Sequence, residues 1–531
     1  MNKSAGHFDL VVIGGGINGT GIARDAALRK LRVLLLEKDD FGGGTTSWST
    51  RLIHGGLRYL EYGEIGLVYE SLHERRHLRK IAGHLVRPLR INIPFYRTSS
   101  RSPLTIRLGL LAYDLLSIGK SLPRHRILGR KALLALEPGL NPAGLRGGAQ
   151  YYDAQVVYAE RLVIENVLAA QHAGAVLRSR CEVNAIDIVN SRVSAVRFKP
   201  VDTGVEECVT ADCVVNAGGP WVDRILAKAS VPFPRLMGGT KGSHIVVGKF
   251  TGAPRDAFYV EAAADGRPIF IVPWNGQYLI GTTDIRCDED PGTARITAQE
   301  IDYLLSETNR VFPRARLKPA DIHYTYAGVR PLPYREKGPE SAITRRHIIL
   351  RHGNEAKNLV SIIGGKLTTY RHLSEQTVNL VFRLLGKTAP PCKTARTLLP
   401  GARRVARARR LLEQHSGLSA AGIERLLAIY GGRASALIGF ARKSTGMCEP
   451  LDAARTILRA EVAFVLQTES AKTLVDIVHR RMMLGLTEDH GEAHYDAIAA
   501  LAAAECGWDA AATAAELAAL RSYNDRLRAA G

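Results

Sequence analysis

The sequence predicts an α/β protein: a nucleotide-type βαβ domain interleaved with a sheet-rich domain, with an α-helical domain after them. Three observations predict it. Over residues 8–38 an apolar run, a glycine-rich turn, a helical pattern and a second apolar run follow one another. Five further strand-like runs, among them "SHIVVG", "PIFIVPW" and "QYLIGTTD", are spread between residues 210 and 370, so the nucleotide domain is assembled from separated segments. From about residue 400 the texture turns to Ala, Leu and Arg at helical spacing. A chain of 531 residues is too long for one core. The expected boundaries are 7–395 for the nucleotide domain, with inserted segments at roughly 61–130 and 230–325, and 396–531 for the helical domain; "KTAPPCKTARTLLPG" reads as the linker.

The first strand, residues 10–13, is a short apolar run, and Ile17, Ile22, Ala26 and Ala27 bury one face of the helix after it. Gly14, Gly16 and Gly19 fit G-x-G-x-x-G. The first glycine permits the turn, the second lets backbone approach a pyrophosphate, and the third lets the helix pack on the strand. Glu37 ends the second strand, residues 34–36, where a carboxylate accepts hydrogen bonds from ribose hydroxyls. These residues make a Rossmann-like dinucleotide site with a parallel sheet, and Gly15 and Asn18 are included as contacts. The glycine pattern alone does not separate NAD from FAD. The loop "FGGGTTSWSTRLIHGG" favours FAD, because Thr45, Thr46, Ser47 and Ser49 and its backbone N–H groups suit an extended, permanently held cofactor. The run "VVNAGG" adds Gly218, and "LVSIIGGKLTT" adds Gly365, Lys366, Leu367 and Thr368 where a further helix is expected to begin.

Lys plus Arg number 72 against 51 Asp plus Glu, a formal charge of +21, so anionic partners are expected. Nucleic acid would use that charge but leaves the glycine fingerprint unexplained, and it is not expected as a partner. Seven scattered cysteines without C-x-x-C argue against a disulfide framework or a zinc site, and no metal site is expected. The helical domain has no EF-hand pattern. No signal peptide or spanning helix is legible, so the expected location is cytoplasmic.

The motifs "VVIGGGINGTGIARDAALR", "STRLIHGGLRYLE", "VVNAGGPWVD", "KGSHIVV", "IGTTD", "YAGVRPL" and "SIIGGKLTTYR" together closely resemble the FAD-dependent, membrane-associated glycerol-3-phosphate dehydrogenases of bacteria and mitochondria. The resemblance spans roughly residues 8–400 and is looser beyond. It implies an FAD-binding Rossmann-like domain interleaved with a sheet-rich substrate domain, and oxidation of glycerol 3-phosphate to dihydroxyacetone phosphate with electrons passed to a membrane quinone. One departure is Arg51, where the family more often has lysine; the charge persists, and the cofactor contact is what changes.

This reaction needs a proton acceptor, a cation near the developing alkoxide and cations for the phosphate. His54 in "IHGG" is the first candidate base, and His244 in "KGSH" is the second. Arg58, four residues after His54, shares its face if "LRYLE" is helical, and it resembles a family phosphate ligand; Tyr59 adds a hydroxyl. By resemblance, Arg330 in "GVRPL" sits beside the substrate oxygen and Arg345 is a second phosphate contact, while Arg346 is solvated. Lys366 reaches toward the phosphate, the positive end of the helix at Thr368 and Thr369 faces the flavin, and Thr283, with Thr282 beside it, lies near the substrate.

Residues 97–131 carry eight Lys or Arg, one acid (Asp114) and a Leu/Ile-rich centre, the pattern of a basic amphipathic helix lying on the anionic lipid surface of the inner membrane. A core-packed helix with a basic rim is the plainer reading. Peripheral attachment to the cytoplasmic membrane follows from the first. The basic run at 402–410 reads as a solvated helix surface. An oxygen-dependent glycerol-3-phosphate oxidase, or an FAD oxidoreductase of another small hydroxy acid or amine, is the alternative function. A homodimer is a candidate assembly, since nothing in the sequence fixes the oligomeric state.

Overall fold

The computed structural model describes residues 4–99, 101–119, 122–336 and 343–528. Two sheets and a helical domain make up the chain. In the first sheet, five parallel strands run in the order Leu359–Ile363, Glu207–Asn216, Ser4–Ile13, Val33–Leu36 and Val176–Arg178. Ile348–Arg351 pairs antiparallel at one edge, and the hairpin Cys181–Val189/Arg192–Pro200 joins Glu207–Asn216 antiparallel. The wholly buried run Val33–Leu36 suits an interior strand, since a parallel sheet covered on both faces needs apolar side chains on both. Helices Ile17–Leu28, Ala159–His172 and Tyr370–Leu384 cover one face, with Leu10, Val12, Ile22, Val215, Val360 and Tyr370 at its core.

The second sheet has ten strands and is mainly antiparallel, with Val86–Tyr96 and Leu145–Val156 at its long centre and Thr240–Val247 against Ile322–Arg330 at the site end. It begins with Leu52–Ile53 and includes Leu145–Val156. These strands lie outside the expected inserts at 61–130 and 230–325, so the second sheet draws on more of the chain than those boundaries allow.

The C-terminal helices, from Val405–His415 to Ala510–Asp525, share a core with the second sheet. Buried ion pairs tie them to the first domain. Asp40, three residues after Glu37, accepts from Arg480 Nε at 2.6 Å and from both terminal nitrogens of Arg481 at 2.8 Å, and Arg161 pairs with Glu469. Opposing charge holds the Asp40 carboxyl far below its usual range despite full burial. Thr325 N also donates to Leu527 O at 2.6 Å, so the chain's last described residues lie along the strand Ile322–Arg330.

Helix Pro103–Leu116 opens with Ser102 capping Thr105 N and Pro103 in the first turn. Leu104, Leu108, Leu111 and Leu115, at helical spacing, are each at least half exposed, while Leu110 and Tyr113 are buried on the other side. Ile118 extends the stripe, and exposed Tyr62, Ile65 and Tyr69 lie in the segment that follows the "HGGLRYLE" motif. Arg107, Arg124, Arg126, Arg130 and Lys131 are exposed; Ser100, Lys120 and Ser121 of this basic segment lie outside the described residues. No described helix is long and apolar enough to cross a membrane. In the 402–410 run Arg403, Arg404, Arg407 and Arg410 are exposed, as a solvated surface requires.

Candidate active site

A cavity of about 1690 Å³ runs from the glycine turn to the ends of Thr240–Val247 and Ile322–Arg330. That exceeds the roughly 300–1,000 Å³ of a small-molecule site and has room for an extended dinucleotide and a small substrate together.

At the turn, Gly14 has φ +107°, and a Cβ on it would lie 2.6 Å from Ala217 O; a Cβ on Gly19 would overlap the Gly14 carbonyl. Gly16 has open space instead, with Thr46 Oγ1 nearest at 3.6 Å, so the second glycine leaves the approach clear for a pyrophosphate at the start of Ile17–Leu28. Glu37 accepts from Gly15 N and Asp39 N, and burial pushes its carboxyl up to about 7. Asn18 donates to Gly364 O and leaves Oδ1 buried without a partner, and Gly218, Gly365, Lys366, Leu367 and Thr368 line the same cavity. Thr46 Oγ1 accepts from Ile17 N at 3.3 Å, and Thr45 spends its hydroxyl on Val329 O at 2.7 Å. An orphaned amide oxygen, open space over the helix start and a carboxylate at the strand end fit a dinucleotide.

At the other end, Arg58, Tyr59, Arg330, Arg345 and Lys366 all line the cavity with His54. Lys366 Nζ sits 4.2 Å from the centroid of the Tyr59 ring, buried and without a hydrogen-bond partner among the described residues. Burial lowers its ammonium to about 7, against the opposing pull of Glu70 and Glu64. Arg330 reaches Asp284 Oδ1 at 2.9 Å, Thr282 Oγ1 at 3.0 Å and Thr283 O at 3.1 Å, and Arg345 reaches Asp284 Oδ2 at 3.0 Å. Arg58 donates to Tyr62 Oη at 3.0 Å, with its Nε buried and unpartnered. Burial takes the His54 imidazole down to about 4, with Lys366 and Arg75 adding to it and Asp153 opposing. His244 is lowered to about 3 by burial, then by Arg330 and Arg51. Both rings are therefore neutral at pH 7. They differ in their surroundings: the His54 ring makes no hydrogen bond among the described residues and meets Phe270 edge-on, whereas His244 Nε2 is paired with Thr50 Oγ1 at 2.9 Å and its ring lies on Tyr326.

Several residues sit otherwise than the sequence suggests. Residues Leu57–Leu60 form a single 3₁₀ turn after Gly56, whose φ is +79°, so His54 and Arg58 meet across the cavity and not along one helix face. Helix Tyr370–Leu384 starts with Thr369 as its cap, which leaves Lys366 to Thr368 in the loop before it. Ser47 is buried with its hydroxyl on Gly42 O and braces the loop. Arg51 is wholly buried and grips Glu160 through two bonds of 2.7 Å while stacking on Trp274, so its charge is neutralised by protein. Thr283 gives its hydroxyl to Glu300 at 2.6 Å, and it is Thr282 that faces Arg330.

Asp284, Thr50 and Phe270 escaped the sequence reading, although Asp284 closes the "IGTTD" motif and its position beside two threonines was the available signal. The C-terminal residues Tyr523, Arg526 and Leu527, which also line the cavity, carried no signal at all. Among the described residues no cluster of His, Cys, Asp and Glu could hold a metal ion.

Residues 9–371 match the FAD-dependent oxidoreductase family, and residues 392–513 match the C-terminal domain of alpha-glycerophosphate oxidase. A glycerol-3-phosphate dehydrogenase of Synechocystis sp. is 45% identical over 94% of this chain and 93% of its own length. One from Mycobacterium leprae is 35% identical, covering 98% of this chain and 88% of the relative. The solved structure of glycerol-3-phosphate dehydrogenase from Bacillus halodurans, complexed with FAD, superposes with a TM-score of 0.79 at 28% identity and covers 98% of this chain and 95% of its own.

Proposed function

Because the chain belongs to the family of FAD-dependent glycerol-3-phosphate dehydrogenases and oxidases, we propose that it oxidises sn-glycerol 3-phosphate to dihydroxyacetone phosphate and passes the electrons to a membrane quinone. The observation that carries this reading is the meeting of four cationic side chains, Arg58, Arg330, Arg345 and Lys366, around Tyr59 in the cavity that also holds a neutral imidazole and the dinucleotide cradle. So much positive charge suits a small dianion.

FAD, when bound, supplies the acceptor for the hydride from C2. Gly14, Gly16, Asn18, Glu37, Thr46, Gly218 and the loop 365–368, which line the cavity, would hold it. Arg58, Arg345 and Lys366 take the phosphate, the arginines through paired N–H donors and the lysine as a point charge. His54 accepts the C2 hydroxyl proton on a ring nitrogen, being neutral at pH 7 and lining the cavity. Arg330, held on a rigid strand, lowers the cost of the developing alkoxide. His244, tied to Thr50, supports the wall behind it.

The exposed leucine stripe of Pro103–Leu116 with its basic flank supports attachment to an anionic membrane face. On its buried side Tyr113 accepts from Gly55 N at 2.9 Å, one residue from His54, so a membrane-borne acceptor would approach close to the site. The match of residues 392–513 to an oxidase domain favours a second reading, with oxygen as acceptor.

The test is to add glycerol 3-phosphate anaerobically to the purified yellow protein. Bleaching of the flavin band, then recovery with a short-chain quinone far faster than with air, is the expected result. No bleaching removes the substrate; fast recovery with oxygen alone removes the quinone. His54→Asn should slow bleaching by roughly 10²–10⁴-fold, and an unchanged rate would take the proton from His54.

A further inference from the structure

Among the described residues, Asp284 is the one carboxylate whose two oxygens face two of the site's arginines at once. Oδ1 lies 2.9 Å from Arg330 Nη1 and Oδ2 lies 3.0 Å from Arg345 Nη2. The two cations come from different parts of the chain. Arg330 ends the strand Ile322–Arg330, and Arg345 belongs to an irregular segment before Ile348–Arg351. The carboxylate itself is fixed from behind, because the Asp284 carbonyl accepts from Arg267 Nη1 and the preceding Thr283 is tied to Ser243 N and Glu300. Two guanidinium groups that share one small cavity repel each other unless something of opposite sign lies between them.

We propose that Asp284 is a positioning residue that sets the spacing between the cation at the oxidised carbon and a cation at the phosphate, and competes with the phosphate for Arg345. The inference rests on the reading of Arg330 and Arg345 as substrate ligands. It adds that the site is built to bind its dianion less tightly than its cations allow. A phosphate entering the cavity shares with the carboxylate a guanidinium that also donates from Nη1 to Ile343 O at 2.6 Å. The same carboxylate keeps Arg330 aligned along Thr282 and Thr283 whether substrate is present or not. Burial raises the Asp284 carboxyl and the two arginines more than offset it, so it is ionised throughout the neutral range.

The experiment compares wild-type holoenzyme with Asp284→Asn, using inorganic phosphate as a competitive inhibitor of glycerol 3-phosphate oxidation. Asparagine keeps the shape, loses the charge and cannot accept from both arginines. The inhibition constant for phosphate is expected to fall at least tenfold while kcat, per bound flavin, falls ten- to hundredfold. A variant that was merely unstable would lose flavin and activity together and would not bind phosphate more tightly. Asp284→Glu serves as the second variant: with the charge kept and the spacing changed, it should hold the phosphate constant within threefold of wild type and still lose kcat. An unchanged phosphate constant in Asp284→Asn, or an unchanged kcat in Asp284→Glu, overturns the proposal. If the wild-type enzyme neither oxidises glycerol 3-phosphate nor is inhibited by phosphate, the assignment of the arginines fails first and takes this inference with it.

Discussion

Gly242 lines the cavity without a side chain, yet replacing it with alanine should disable the enzyme without unfolding it. A Cβ at this position would lie 2.6 Å from both Arg330 Cζ and Thr282 Oγ1, and nearer still to an Arg330 terminal nitrogen. Carbon contacts settle at about 3.5–4.0 Å, so the guanidinium must retreat by roughly 1 Å. An ordinary arginine would swing aside at little cost. This one is held by Asp284, Thr282 and Thr283, and any retreat breaks that alignment. A displacement of about 1 Å in a positioning group costs on the order of 10²-fold in rate, or about 2.7 kcal/mol of barrier. The folding cost should be smaller, about 1–3 kcal/mol for a methyl inserted beside a side chain that can move. The assay is stopped-flow anaerobic bleaching at saturating glycerol 3-phosphate, with flavin content measured on the same sample. A variant that retains its flavin and bleaches within threefold of the wild-type rate would refute the role of Arg330 at the reacting carbon.

Arg58→Ala should raise KM for glycerol 3-phosphate about 10- to 150-fold, the loss of charged hydrogen bonds of about 1.5–3 kcal/mol, and unchanged kinetics would remove Arg58 from the site. The depressed Lys366 ammonium predicts a pH effect of definite sign: its charge is present below about 7 and lost above it, so kcat/KM should fall as pH rises through neutrality. Lys366→Arg, charged at every accessible pH, should move that alkaline limb beyond pH 9, and a profile unmoved in the variant would assign the limb elsewhere. Asp40→Asn leaves the buried Arg481 without its counter-ion and Arg480 with Asp476 alone, and should destabilise the domain contact by about 3–5 kcal/mol, read as a lower temperature of flavin release. Leu108→Asp with Leu115→Asp should abolish co-sedimentation with anionic vesicles while leaving bleaching by glycerol 3-phosphate intact; retained vesicle binding would move the attachment surface elsewhere.

What could be read from the sequence was whatever depends on near neighbours. The roles of Gly14, Gly16 and Gly19 follow from a turn six residues long, and each has the surroundings its spacing implies. Arg58, Arg330, Arg345 and Lys366, singled out by their motifs, come together at one cavity. Residues whose surroundings depend on a distant partner were not legible. Arg51 looked like a cofactor contact because nothing near it pairs with it, and its partner Glu160 is 109 positions away. Thr283 and Thr282 are adjacent and alike in sequence, and only the path of the irregular connection between Gln277–Gly281 and Ile285–Arg286 decides that one hydroxyl turns inward to Glu300 and the other toward Arg330. The wall contributed by Tyr523, Arg526 and Leu527 lies in an alanine-rich helical tail with no motif, so no local signal could have marked it.

The clamp on Asp40 bears on how the enzyme is made. The loop that follows Glu37 is among the first parts of the chain to leave the ribosome, whereas Arg481, which grips it, is 441 positions later. At roughly 5–20 residues per second, about 20–90 s of synthesis separate the two. Through that interval the nucleotide domain carries a carboxylate that must stay in water, on a loop held only by near neighbours such as Ser47 and Gly15. The docking of this loop is thereby deferred until the last helices have formed, and a ribosome that stops short of residue 480 releases a chain in which Asp40 has neither of its arginine partners.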